Sequence, residues 1–173
     1  FLNLSLIGIT GVEVTGELVN RRYADPDACV RTIAENRDLL VGVKLRLGPD
    51  TTWNPEEALR MARGTADAAG VPLMVHITNC PLPLPRVLEF LKPGDIVAHP
   101  FHAFAHNVLD PERKAILGPV REAQKRGVAF DAAHGRMRHF NFAVVRKCLE
   151  LGFMPDVITT DLSLPSARRG PVF

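Results

Sequence analysis

The chain has 173 residues, room for one domain with a sizeable core but short of the ~250 typical of a complete eight-unit α/β barrel. Its 46% hydrophobic and 23% charged residues are those of an ordinary globular protein, and a dispersed net charge of +2 argues against nucleic acid or an anionic membrane as partner. No apolar run approaches ~18 residues, so no segment is expected to span a bilayer; the odd set Cys29, Cys80 and Cys148 falls in no metal-ligand spacing, which favours reduced thiols and a cytoplasmic setting.

Leu2 to Ile9 reads as a strand that opens the chain without an initiating Met, and the residues are expected to belong to a longer polypeptide. A polar connection through Gly11 and Gly16 follows. Asp25-Pro26-Asp27 then supplies an N-cap and a first-turn proline for a helix over Ala28 to Arg37, with Val30, Ile33 and Ala34 at helical spacing. Leu39 to Arg46 is apolar on successive residues, as in a strand buried on both faces. Asn54-Pro55-Glu56-Glu57 repeats the cap, puts acid in the first turn, and starts a helix through Leu59, Met61, Ala62 and Ala66 to a Gly70 stop.

Strand Val71 to Ile77 leads into a loop at Thr78 to Pro83, a short helix from Leu84 to Leu91, and a strand from Asp95 to His99. The next loop carries His102 and His106. Pro111 to Arg126 reads as helix ending at Gly127, Val128 to Phe130 as strand, and Asp131 to His139 as a polar loop. A helix from Asn141 to Leu151 and a strand from Asp156 to Asp161 complete the pattern. Six strands alternating with five mostly helical segments predict a parallel α/β arrangement in one domain over 1–173.

Four of the apolar runs end on Lys44, His76, His99 and Asp161. The first three end points are spaced by roughly 20 to 30 residues, one βα repeat, and the last by about two repeats. A parallel barrel aims its strand C-termini at one mouth, where active sites sit. A buried lysine of lowered pKa either forms a Schiff base or reacts as the free amine with carbon dioxide, giving a carbamate that bridges two metals. Histidines ending successive strands suit zinc. Asp161 either binds metal and takes a proton from the attacking water or caps a following segment. Lys, His, His and Asp in this order favour a hydrolytic metal site over a Schiff-base lysine. His102, His106, His139 and Cys80 are left out of the metal set, as loop residues.

The chain resembles the amidohydrolase superfamily, and within it the dihydroorotase-related amidohydrolase/deacetylase metallohydrolases. The resemblance rests on Val41-Gly42-Val43-Lys44-Leu45-Arg46, Pro72 to His76, Pro93 to His102, Arg126 to Gly135, and Pro155 to Leu162. It implies a partial TIM (β/α)8 barrel containing strands three to eight, with edges open at Leu2 to Ile9 and Asp156 to Asp161. It further implies a carboxylated Lys44 bridging two zinc ions, His76 and His99 on one of them, and Asp161 on the other as catalytic base and acid. A bridging hydroxide then attacks a carbonyl polarised by the metals, and His134 contacts substrate. The implied activity is zinc-dependent hydrolysis of an amide, cyclic amide or ester of a small molecule, as in a deacetylase; self-association into a homo-oligomer is left open. Two features depart from the family. Its first-strand His-x-His pair is absent with strands one and two, and the loop Arg136-Met137-Arg138-His139 is bulkier and more basic than the small residues expected there; Arg136 and Arg138 are candidates to face the cleft with His134. A Schiff-base lyase or aldolase using Lys44, and a degenerate barrel that binds without turnover, are the competing readings.

Overall fold

Short β-branched and leucine-rich runs pair side by side in chain order. The computed structural model describes residues 1–5, 17–135 and 138–161. Within them, β1 (Leu2–Asn3), β2 (Val43–Arg46), β3 (Leu73–His76), β4 (Ile96–Ala98) and β5 (Ala129–Asp131) form one parallel sheet in the order β1-β2-β3-β4-β5. Between them run α1 (Pro26–Glu35), α2 (Pro55–Ala69), α3 (Leu84–Leu88) and α4 (Gly118–Arg126), and α5 (Phe142–Glu150) follows β5. Among the described residues no helix is long and apolar enough to cross a membrane.

Strand side chains alternate between two faces, and the register sorts them by chemistry. Val43, Leu45, Leu73, Val75, Val97 and Phe130 share one face, and all are completely buried. Ile33 of α1, Leu59, Ala62 and Ala66 of α2, Val87 of α3, Val120 of α4 and Val144 of α5 join them in a single apolar cluster. The opposite face carries Lys44 and Arg46 of β2, His76 of β3 and Asp131 of β5; Arg46 pairs with His76, His76 with Ala98, and Ala98 with Asp131 across the sheet. Apolar burial against the helices thus fixes the register that gathers the polar side chains on the other side.

The helix starts follow the capping signals. The side chains of Asp25, Asn54 and Asn141 accept backbone N–H bonds in the first turns of α1, α2 and α5. Gly70 closes α2 in the left-handed conformation.

Several expectations are corrected. β2 begins at Val43: Leu39 and Val41 are 72% and 56% exposed, because the amides of Leu39 and Leu40 bond back to Asn36 in the turn leaving α1. α3 stops at Leu88 rather than Leu91. Pro111 does not start a helix. Asp110 accepts the amide of Lys114 through its side chain, Arg113 takes φ 55°, and Leu109 bridges Ile116, so local side-chain bonding holds a turn and α4 begins at Gly118. At the start of the chain the ladder covers Leu2–Asn3 and Ser5 bridges Ala24; the expected continuation over 6–9, like Gly11 and Gly16, lies outside the described residues.

Where six strands are expected, the described residues form five. The last segment runs parallel beside β5 through a single bridge, Asp131 to Val157. Its carbonyls at Val157, Thr159 and Thr160 accept the amides of Ala132, His134 and Gly135 at 2.9 to 3.1 Å. β5 turns into left-handed backbone at Ala133 (φ 36°) and Gly135 (φ 48°), which prevents a regular ladder while keeping the segment aligned.

Candidate metal centre

Three imidazoles meet on the polar face of the sheet. His76 ends β3, His99 follows β4, and His139 comes from the loop between β5 and α5. One ring nitrogen of each lies within 4.8 Å of the others. The ring centroids are 4.4 Å apart for His76 and His99, 5.0 Å for His76 and His139, and 4.3 Å for the stacked His99 and His139.

His99 and His139 are each held by a hydrogen bond to a neighbour. His99 takes φ 66°, a left-handed backbone uncommon for a residue with a Cβ, and its amide donates to Asp131 O. Its Nδ1 donates to the carbonyl of Ala133 at 2.6 Å, which leaves Nε2 without that proton and 3.9 Å from Asp161 Oδ2. His139 Nδ1 lies 2.8 Å from the hydroxyl of Thr78, two residues past His76. A hydrogen bond on one ring nitrogen with the other aimed into a cluster is the usual arrangement of a metal-bound histidine.

The electrostatics keep these rings neutral. Burial drives the His76 pKa well below its ordinary value, and the charges of His99, Lys44, Arg46 and His139 push the same way. Burial likewise takes His99 to about 2, despite the Ala133 carbonyl, and lowers His139 against the pull of Asp161. Neutral imidazole is the form that binds a metal ion. Lys44, on the same face, is lowered to about 8 by desolvation; Asp161 most strongly opposes the shift, Arg46 adds to it, and Asp131 and Glu17 oppose it. Three neighbouring neutral imidazoles, a carboxylate beside one of them and a lysine of lowered pKa make a donor set that fits a divalent transition metal.

Two buried carboxylates brace the site. Glu17 pairs with Arg46, accepts the Asn3 amide at 3.0 Å, and receives the Ser5 hydroxyl on its carbonyl at 2.8 Å. Burial raises its pKa, and Arg46 and the Asn3 bond hold it down. Asp131 accepts the Thr159 hydroxyl at 2.9 and 3.0 Å and the Ala133 amide at 3.0 Å, tying β5 to the last segment.

Of the residues singled out in the sequence, His76 and His99 touch, Asp161 is half-exposed beside His99, and Lys44 shares their face and field. His134 is not one of the three grouped imidazoles among the described residues; its Nδ1 is 3.0 Å from the Thr159 carbonyl and its ring packs on Phe140. Arg138 is exposed, and Arg136 lies outside the described residues. Cys80 is buried, and burial raises its thiol to about 11, too high for ready reactivity. His139, left out of the metal set, is the residue missed, along with Asp131, Glu17 and Arg46. Asp131 is within reach of the same reasoning, because it ends β5 as His76 ends β3 once the strand is carried one residue past Phe130, whereas Lys44, expected at a strand end, is the second residue of β2 and pairs with Met74. His139 follows no period.

No protein-family model matches the chain. A deacetylase of Enterococcus faecalis is 29% identical over 167 residues, covering 94% of this chain and 44% of its own. Deacetylases of Brucella anthropi and Agrobacterium fabrum are each 30% identical over 164 residues, 94% of this chain and 40% of theirs. The crystal structure of an adenine deaminase superposes with a TM-score of 0.87 at 28% identity, over 97% of this chain and 45% of that one. That of a dihydroorotase gives 0.81 at 30% identity, over 94% and 42%. Both are TIM-barrel proteins of the amidohydrolase superfamily. The chain spans less than half the length of each of these relatives.

Proposed function

From a chain that belongs to the amidohydrolase superfamily, related to its deacetylases, we propose that the whole protein is a metal-dependent hydrolase of an amide, cyclic amide or ester bond in a small molecule, of the deacetylase type. The observation that carries this reading is the contact of His76 with His99, with Asp161 beside His99 and Lys44 on the same face of the sheet. In this reading β1 to β5 and the segment ending at Asp161 are strands three to eight of a (β/α)8 barrel, and zinc is the metal.

His76 and His99 would hold the metal through neutral imidazoles, and Lys44 would do so after its amine takes up carbon dioxide as a carbamate. Asp161 would hold a second metal ion. When bound, the metal polarises the carbonyl and makes a water nucleophilic at neutral pH. Asp161 is half-exposed beside His99, so its carboxylate faces both the imidazoles and solvent. It takes the proton from the attacking water and returns it to the leaving group. His134, fixed by the Thr159 carbonyl, contacts the substrate. A Schiff-base lysine would use the same lowered Lys44 pKa, but it gives the three imidazoles no task.

The test is hydrolysis of N-acyl amino acids, cyclic amides and acyl esters by the full-length protein, before and after chelation. Activity should fall with metal content and return with zinc. Activity that survives complete metal removal would overturn the reading, and borohydride trapping of substrate on Lys44 would replace it with the Schiff-base one.

A further inference from the structure

His139 is the imidazole of the cluster that no strand end delivers. It reaches the site from the loop after β5, in the bulky stretch where small residues are expected, yet it stacks on His99 and meets His76 edge to face. We propose that His139 is a third metal ligand, which with His76 and His99 makes a three-nitrogen site that holds one divalent transition metal without the Lys44 carbamate.

Four observations support this. First, one ring nitrogen of each imidazole already lies within 4.8 Å of the others, and the rings would close further on an ion, since zinc takes imidazole nitrogens at ~2.0–2.1 Å. Second, the Thr78 hydroxyl engages His139 Nδ1, and Thr78 is itself buried, so the ring is oriented by a fixed partner rather than by solvent. Third, Gly135 lets the ring in: a Cβ there would stand 2.8 Å from His139 Cδ2 and 3.1 Å from Asp161 Oδ2. Fourth, the donors are of one kind. Three neutral imidazoles make a complete set for a zinc site that keeps an open position, whereas His76 and His99 alone need a further ligand. The consequence is a division of labour: the loop after β5 controls how tightly one ion is held, independently of carbon dioxide.

The inference shares with the functional reading only the premise that the site takes a metal. Its test is a titration of zinc alone into the metal-stripped full-length protein, with circular dichroism confirming the fold of each variant. Lys44→Ala, which cannot form the carbamate, should still bind zinc. Adding His139→Asn, which keeps a polar group near Thr78, should weaken the retained zinc by about 100-fold, and His139→Ala should do the same. Cobalt(II) in the Lys44→Ala protein should show a visible spectrum that changes when His139 is replaced. Loss of all zinc binding in Lys44→Ala would overturn the proposal. So would zinc affinity within twofold, or an unchanged cobalt spectrum, after His139 is replaced. Hydrolysis that persists without metal would sink the functional reading and leave these zinc measurements intact.

Discussion

Gly135 and His139 stand so close that a Cβ on residue 135 would come within 2.8 Å of the imidazole Cδ2. Gly135 also sits at φ 48°, where residues with a Cβ are strained. Gly135→Ala should therefore cost about 1 kcal/mol of stability and, in addition, displace His139 or Asp161. The expected result is a folded protein with weakened zinc binding, read by calorimetric titration beside a thermal melt. Equal zinc affinity in the variant would mean that neither side chain depends on this close approach.

His102 predicts a particular acid sensitivity. Burial pushes it to about 4, the nearby His139 and His106 add to the effect, and the backbone of Ile77 and Phe104 offsets part of it. The folded pKa is below the ordinary 6.5, so the folded state binds fewer protons than the unfolded chain between pH 6.5 and 4. The stability gained from neutral His102 is then fully present above about 6.5 and is lost as pH falls towards 4, by up to roughly 3 kcal/mol. His102→Phe removes this titration. Urea unfolding of the two proteins across that window should show a shallower decline for the variant, and parallel curves would refute the assignment.

Lys44, lowered to about 8, should be the most reactive lysine near neutral pH. Half of its amines are free at pH 8, whereas an ordinary lysine is almost wholly protonated there. Equilibration with carbon-13-labelled bicarbonate should give a carbamate resonance that is absent from Lys44→Ala. Competitive acetylation at pH 7.5 should label Lys44 ahead of the exposed Lys92 and Lys114. Labelling of all three at the same rate would count against a carbamate at Lys44.

Much of this arrangement is legible in the sequence because two periodicities carry it. Asp25-Pro26 and Asn54-Pro55 mark helix starts through side-chain bonds to the first turn, which any context allows. Lys44 and His76 end apolar runs, and a parallel register leaves their side chains on one face. What the sequence does not carry is set by tertiary contact. Leu39 and Val41 match a buried strand, yet the turn from α1 keeps them outside the ladder. Pro111 has the form of a helix start, but the Asp110 side chain closes a turn instead. His139 joins the imidazoles only because a loop folds over the sheet and Gly135 leaves it room, and neither fact has a spacing to be read.

Thr159 offers the last test, because it links stability to catalysis through one hydroxyl. Both oxygens of the buried Asp131 carboxylate accept from it, at 2.9 and 3.0 Å, and the Ala133 amide also donates to this group. Thr159→Val keeps the shape and removes the donor, leaving a buried carboxylate poorly satisfied at a cost of about 1–3 kcal/mol. The same bond anchors the segment that carries Asp161 two residues later, so the proton-transfer group should lose its position while His76, His99 and His139 keep theirs. We therefore expect a lower urea midpoint and at least a tenfold fall in kcat, with nearly unchanged zinc affinity at the three-histidine site. Thr159→Ser restores the hydroxyl and should recover most of both losses. A Val variant with normal kcat would show that Asp161 is held by something other than the Asp131–Thr159 bond.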